Sequence, residues 1–370
     1  MTGESGGGHE KDLSVIGEPR SSPSEGVMSV EQIERELARL RMNDDGTLGA
    51  RASVLNLLVV TDEKSAGDVT RIISELSGRY PSRAILMISD PDEEEANLEI
   101  RLSAFCSVRG GGGDQVCAEQ ITIHVEGPSA RHLESLAGPL LIPDLPVFLW
   151  YPNGDIPRSS ECGGMAALAD RLILDSGAAD GCKTFLRDMA NLLEDCVLTV
   201  GDLQWAALSP WRSLVADLFA PQERAEELAK IRHVEILHHP DGECRALLFA
   251  GWLAAALGWR PESGGRVEES RVFHFAGPFG HVITELAPSA NAAALRRIRL
   301  YSEELTFQVS YREHAYACST VMRGDELLGE RTVHLGSSDS GVLLGEELKI
   351  LGRDETYEFA LNRAVEMLDS

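Results

Sequence analysis

Positive charge is scarce in this chain. Lys and Arg number 34 against 59 Asp and Glu over 370 residues, a formal net charge of −25. Most of the surface therefore repels a phosphate backbone, and nucleic acid is not an expected partner. The seven cysteines include no C-x-x-C pair. An odd, scattered set argues against a secreted disulfide framework and for a reducing cytoplasmic setting. No stretch approaches the roughly 18 to 20 uninterrupted apolar residues of a membrane span, and no basic cap precedes an apolar run near residue 1, so neither membrane embedding nor an export signal is expected. Catalytic motifs are missing as well. There is no G-x-G-x-x-G after a strand, no G-x-x-x-x-G-K-[ST], no G-x-S-x-G and no H-E-x-x-H. This lowers the expectation of catalysis, and no catalytic residue or cofactor is assigned.

What the chain does have is enough apolar residue, 43%, for two packed cores. Residues 1–28 are rich in Gly, Ser, Glu and Pro and have little to bury, which predicts a disordered tail. Ser29 and Gln32 form a capping box ahead of Ile33, Leu37 and Leu40 at helical spacing, so 29–48 reads as an amphipathic helix and linker. The apolar run Val54–Val60, a helix over 65–77 and a buried strand at 84–88 make a βαβ pattern. Strands at 100–108 and 116–125 flank Gly110–Gly113, read as a hairpin turn because no Lys-Ser/Thr and no helix follows it. A helix over 129–141, strands at 147–150 and 171–174, a helix over 184–196 and a helix opened by Ser209-Pro210, with the serine hydroxyl as cap, complete the segment. The expectation for 49–220 is an α/β domain, a mixed sheet with flanking helices.

Pro221-Gln222 is the preferred boundary. A charged helix to Lys230, a strand at 234–237 and an all-round apolar helix over 244–257 follow it. Period-two segments at 270–275, 281–287, 296–301, 305–311, 316–322 and 330–335 then predict an antiparallel sheet with one solvated face. Two helices within 341–369 close an α+β domain over 221–370.

His233, His238, His239 and Cys244, with His274 or His281, are the densest collection of soft ligands. Their spacing matches no zinc module, and no metal is assigned. Cys106 and Cys117 stand symmetrically about the glycine run, so a regular hairpin would place them opposite one another within disulfide reach. They are a candidate redox pair, against the alternative of two small, partly buried thiols. Two other segments, read as loops, stand out for aromatics and proline, 141–155 and 201–212. Trp, Tyr and Arg on pre-organised segments dominate binding energy at interfaces. The partner-binding candidates are accordingly Asp144, Pro146, Trp150, Tyr151, Trp205, Pro210, Trp211 and Arg212. Trp150 and Trp211 fall on periodic apolar positions and are expected to be buried, Trp205, Tyr151 and Arg212 to reach the surface.

The same segments carry a resemblance. L-L-I-P-D-L-P-V-F-L-W-Y at 140–151, D-L-Q-W-A-A-L-S-P-W-R at 202–212, A-L-L-F-A-G-W-L-A-A-A-L-G-W at 246–259 and R-A-S-V-L-N-L-L-V-V at 51–60 resemble, in order, signature blocks of the OpcA family. Members of that family more often carry a second Trp where Tyr151 stands, and Arg-Leu-Thr-Pro in place of Ala207 to Pro210. The resemblance implies a non-catalytic protein that binds glucose-6-phosphate dehydrogenase, promotes its active oligomer and raises its activity in the oxidative pentose phosphate pathway. The competing expectation is a sugar-phosphate-binding enzyme, since α/β layers place ligands at strand C-terminal ends. A purely structural scaffold is the third.

Overall fold

The computed structural model describes residues 20–24, 28–42, 50–51, 53–108, 115–156, 164–195, 198–291 and 293–370. The glycine turn at 110–113 and most of the expected N-terminal tail and linker lie outside the described residues. The chain packs as two compact units, one of residues 1–58 with 62–145, the other of 59–61 with 146–370. The boundary expected at Pro221-Gln222 falls inside the second unit.

In the first unit, β1 (Arg20–Ser24) precedes α1 (Val30–Leu40). The Ser29 capping box forms: the hydroxyl accepts from Gln32 N at 3.3 Å and the Gln32 side chain accepts from Ser29 N at 2.8 Å. Two orphan donors of the first turn are thereby satisfied, and Ile33 and Leu37 on the opposite stripe are buried. β2 (Ala50–Arg51), β3 (Leu55–Thr61), α2 (Glu63–Ser77), β4 (Ser82–Asp90), β5 (Asn97–Val108) and β6 (Gln115–Glu126) follow. The sheet order is β1-β5-β6-β4-β3, with β2 on β6. β4 runs parallel to β6 and β5 antiparallel to it, so the sheet is mixed, as expected. Arg83 on β4 is buried and bridged by Glu119 at 2.6 Å and by Glu34 of α1.

The helix expected over 129–141 is broken into 3-10 turns at 127–132 and 138–140 around one short helix, α3 (Leu133–Ala137). Pro128 and Pro139 lack the N–H that a continuous ladder requires. The proline-rich stretch that follows is pinned from below. Buried Asn56 on β3 donates to Ile142 O at 3.0 Å and Leu145 O at 3.3 Å, and accepts from Ile142 N at 2.9 Å.

The second unit takes up Val59–Thr61 and continues with β7 (Val147–Tyr151), β8 (Arg171–Leu174), α4 (Cys182–Asp195) and β9 (Thr199–Asp202), in the order β3-β7-β8-β9. β7, β8 and β9 are mutually parallel. Next come α5 (Leu203–Ala207), α6 (Ser209–Leu218), α7 (Gln222–Ala225), β10 (His233–His238) and α8 (Glu243–Ala256). Seven strands then follow: β11 (Arg260–Val267), β12 (Ser270–Gly277), β13 (Gly280–Pro288), β14 (Leu295–Tyr301), β15 (Leu305–Arg312), β16 (Tyr316–Arg323) and β17 (Glu326–His334). The chain closes with α9 (Ser340–Glu347) and α10 (Glu355–Asp369).

The eight-stranded sheet runs β11-β12-β13-β10-β14-β15-β16-β17, antiparallel throughout except where β10 meets β13. Along β10 and β15 buried residues alternate with half-exposed ones, the pattern of a sheet with one packed face. The packed face is covered by α8 and α6. α8 is apolar all round because α10 and α4 take its other sides. At Gly251 a side chain would meet Ala360 O of α10 at 2.2 Å, so glycine sets how closely these two helices approach. The fold class expected from the sequence, an α/β part followed by an antiparallel sheet with helices, is the one observed.

Candidate functional site

The parallel strands β7, β8 and β9 deliver their C-terminal ends to one edge of the second unit, the edge where open α/β sheets hold ligands. Asp202 ends β9 and is fully buried. Its Oδ1 accepts from Ser176 N at 3.1 Å and Gln204 N at 2.9 Å, which caps α5. Burial pushes this carboxyl up to about 7; hydrogen bonds from Ser176 and Gln204 oppose the shift and the negative charge of Asp175 adds to it.

Gln204 links a carboxylate to a cation. Its Nε2 donates to Asp175 Oδ1 at 2.7 Å, while its Oε1 accepts from Arg245 Nε at 2.9 Å and from a terminal nitrogen at 2.5 Å. Alongside, Arg171 at the start of β8 grips Glu347 Oε2 at 2.7 Å and donates to Gly352 O at 3.0 Å. Both members of this pair are buried. Gly201 makes room for them, because a Cβ there would lie 2.0 Å from Glu347 Oε2. Despite Arg171, desolvation raises the Glu347 pKa.

Trp205 on α5 donates its indole N–H to Asp354 Oδ2 at 2.7 Å, and Asp354 Oδ1 accepts from Tyr357 N at 3.0 Å, capping α10. The Arg212 guanidinium lies 3.4 Å from the centre of the Trp205 ring, a cation–π contact. Burial lowers the Arg212 pKa to about 10, with Asp354 and Glu347 opposing. Tyr357 packs against Trp205 at 5.6 Å and is fully buried. A cavity of about 620 Å³ opens beside this cluster, with Arg245, Trp211, Ser209, Leu295 and Ser338 in its walls.

Several expectations change here. The segment 201–212 is not a loop: it is the end of β9, then α5 and α6 joined through Leu208. The Ser209 hydroxyl does not cap α6, because the preceding helix already supplies acceptors for its first donors, as where Arg212 N bonds Leu208 O at 2.9 Å. Trp205, expected at the surface, is 2% exposed, held by Asp354 on its edge and Arg212 on its face. Trp150 and Trp211 are buried, as their periodicity indicates. Among the partner-binding candidates Asp144 is exposed, with φ of 63°, while Pro146, Tyr151, Pro210 and Arg212 are half-buried. Trp205, Pro210, Trp211 and Arg212 come together around α5 and α6; Trp150 and Tyr151 belong to β7.

Asp202, Gln204, Arg171, Arg245, Glu347 and Asp354 were not singled out by sequence reasoning. One signal was available: beyond Glu243 at its first position, Arg245 is the one charge in an otherwise apolar helix, a position that has to be buried and therefore partnered.

The cysteines also depart from expectation. Cys106 and Cys117 face each other across β5 and β6 and are joined, with Cα atoms 4.1 Å apart. Cys182 of α4 and Cys244 of α8 form a second disulfide. Reduced thiols were expected from the odd count, yet among the described residues Cys318 is the free cysteine. The facing of Cys106 and Cys117 is the one that their symmetry about the glycine run indicates, whereas spacing along the chain does not reveal Cys182 and Cys244, which helix packing brings together. Of the histidines weighed as metal ligands, His238 Nδ1 contacts His239 O at 2.7 Å and His233 stacks on Tyr301. Among the described residues no three His, Cys, Asp or Glu gather as a metal site, and no helix is long and apolar enough to cross a membrane.

Solved structures of similar fold include a mutant of KijD10, a 3-ketoreductase from Actinomadura kijaniata, at TM-score 0.50 and 13% identity, covering 85% of this chain and 96% of that one. An NAD binding oxidoreductase from Klebsiella pneumoniae gives TM-score 0.50 and 11% identity over 84% of this chain and 94% of its own. At such identity the likeness concerns the fold alone. Among sequence relatives, a Putative OxPP cycle protein OpcA from Nostoc punctiforme is 26% identical over 79% of this chain and 66% of its own length. One from Synechocystis sp. is 24% identical over 78% of this chain and 63% of its own. The chain thus spans just under two thirds of the length of these relatives. Residues 73–191 match the glucose-6-phosphate dehydrogenase subunit N-terminal domain and residues 198–361 the corresponding C-terminal domain. Both domains in order, over more than half of the residues, establish that the chain belongs to the OpcA family.

Proposed function

We propose that this protein is a non-catalytic partner of glucose-6-phosphate dehydrogenase that promotes the enzyme's active oligomer and raises its activity in the oxidative pentose phosphate pathway, in the cytoplasm. The observation that carries the reading is the ordered match to both subunit domains. A protein that binds only the active form of an enzyme shifts its population by up to the differential affinity, and needs no catalytic group of its own.

Two features of the structure support a binding role over dinucleotide chemistry. The turn from β3 into α2 carries Asp62, whose carboxylate accepts from Ser65 N at 2.8 Å. A negative charge therefore holds the helix N-terminus where such folds receive a pyrophosphate. In the 202–212 block, Trp205 and Arg212 are also held inside the second unit, by Asp354 and by each other, and not arranged around a substrate.

Mixing purified dehydrogenase with this protein is expected to raise the rate or lower the apparent KM, with a larger assembled species on sizing. Unchanged kinetics at saturating protein would count against activation, and complex formation without a kinetic effect would favour a scaffold. A turnover reaction by the isolated chain would favour the enzyme reading.

A further inference from the structure

Three arginines among the described residues are buried: Arg83, Arg171 and Arg245. Two of them face a carboxylate directly, Arg83 with Glu119 at 2.6 Å and Arg171 with Glu347 at 2.7 Å. Arg245, 8% exposed, does not. Its guanidinium makes two donations to one neutral oxygen, Gln204 Oε1. A buried guanidinium without a carboxylate bears a desolvation cost that its two companions offset with ion pairs. Asp175 and Asp202 lie within electrostatic reach, but Gln204 stands between Asp175 and the guanidinium.

Arg245 has five N–H donors in a planar fork, and Gln204 occupies two nitrogens from one side. The residue also forms part of the cavity wall of about 620 Å³. That volume is in the range of small-molecule sites, roughly 300 to 1,000 Å³. The wall is mixed: Trp211, Leu295 and Leu335 are apolar, while Ser209, Ser337 and Ser338 offer hydroxyls. The other charged residue of the lining, Glu346, is already engaged by Lys349 at 2.6 Å. A fixed cation, hydroxyl donors and apolar walls are the elements that orient a small anionic molecule.

We propose that this cavity binds a small metabolite carrying an oxyanion, phosphate or carboxylate, which supplies Arg245 with its missing counter-charge. The site is independent of any dehydrogenase, so it is tested on the isolated full chain. Thermal unfolding and calorimetric titration are run with inorganic phosphate and, separately, with citrate, at constant ionic strength set by chloride. The expected result is a melting temperature raised by a few degrees and one site per chain for at least one of the two anions; which one responds separates phosphate from carboxylate. Arg245→Met is expected to weaken binding at least about tenfold, the loss of a charged hydrogen bond. Because that change touches the interior, Ser338→Trp, at an exposed position of the wall, is the second variant. It is expected to block the cavity with the fold intact, read as an unaltered circular dichroism spectrum. The proposal is overturned if neither anion binds at millimolar concentration, if chloride alone reproduces the shift, or if both variants bind as the parent does.

Discussion

At the scale of single residues, Asp202 has the most direct consequence for pH. Its native pKa of about 7 stands above the ordinary 3.8, so the folded protein holds this proton more tightly than the unfolded chain does. Stability from this group is therefore complete below the unfolded value, declines as pH rises toward 7 and is lost above it. Asp202→Asn retains an Oδ1 acceptor for the Ser176 and Gln204 amides and removes the charge. Its unfolding free energy from urea titration is expected to exceed that of the parent at about pH 8, by on the order of a few kcal/mol, and to converge with it toward about pH 4. Curves that run parallel across this window would refute the assignment. The Arg171–Glu347 pair makes a second prediction: Arg171→Met alone is expected to cost about 3 to 5 kcal/mol by stranding a buried carboxylate, and Arg171→Met with Glu347→Leu much less. A double-mutant cycle by chemical denaturation reads the difference. Neither group was apparent from spacing, because Arg171 and Glu347 are 176 positions apart and only the packing of α9 beside β8 and β9 unites them.

Among elements, legibility followed periodicity. β10 and β15 announce themselves by strict alternation, and α8 by being apolar on every side. β11 was not foreseen, since its sequence RPESGGRV has no alternating face and the strand is an exposed edge. The disulfides join elements too. Cys182–Cys244 ties α4 to α8 across 62 positions, and closing a loop of that length in the unfolded chain is worth about 4 kcal/mol in the entropic account. Cys182→Ser is expected to lower the melting temperature by several degrees, with no additional effect of reductant on that pair. For Cys106–Cys117, the expected redox behaviour is two more titratable thiols after reduction than after oxidation in a variant lacking the α4–α8 bridge. Equal counts would remove this pair as a redox element.

For the molecule as a whole, the family was readable from four ordered blocks, and the two matched domains together reach from residue 73 to 361. What the blocks do was less readable. The aromatic content of 202–212 suggested an outward-facing surface, yet Trp205 and Trp211 are interior. Aromatic residues that dominate interfaces also dominate cores, and only burial separates the two. Under the proposed function, docking is expected to fall on the accessible members of the candidate set, exposed Asp144 and half-buried Tyr151: Asp144→Ala and Tyr151→Ala are expected to weaken the proposed kinetic effect without lowering the melting temperature, whereas Trp205→Ala is expected to unfold the second unit first. Parallel loss of stability and activation in all three would contradict this division.

The clamp on Trp205 has an optical consequence. An indole sandwiched between a guanidinium 3.4 Å from its ring centre and a carboxylate on its N–H experiences a strong local field, so its fluorescence band shifts whenever either neighbour moves. Subtracting the emission of Trp205→Phe from that of the parent isolates this one chromophore among the five tryptophans, giving the protein a built-in spectroscopic gauge of events at its own strand ends.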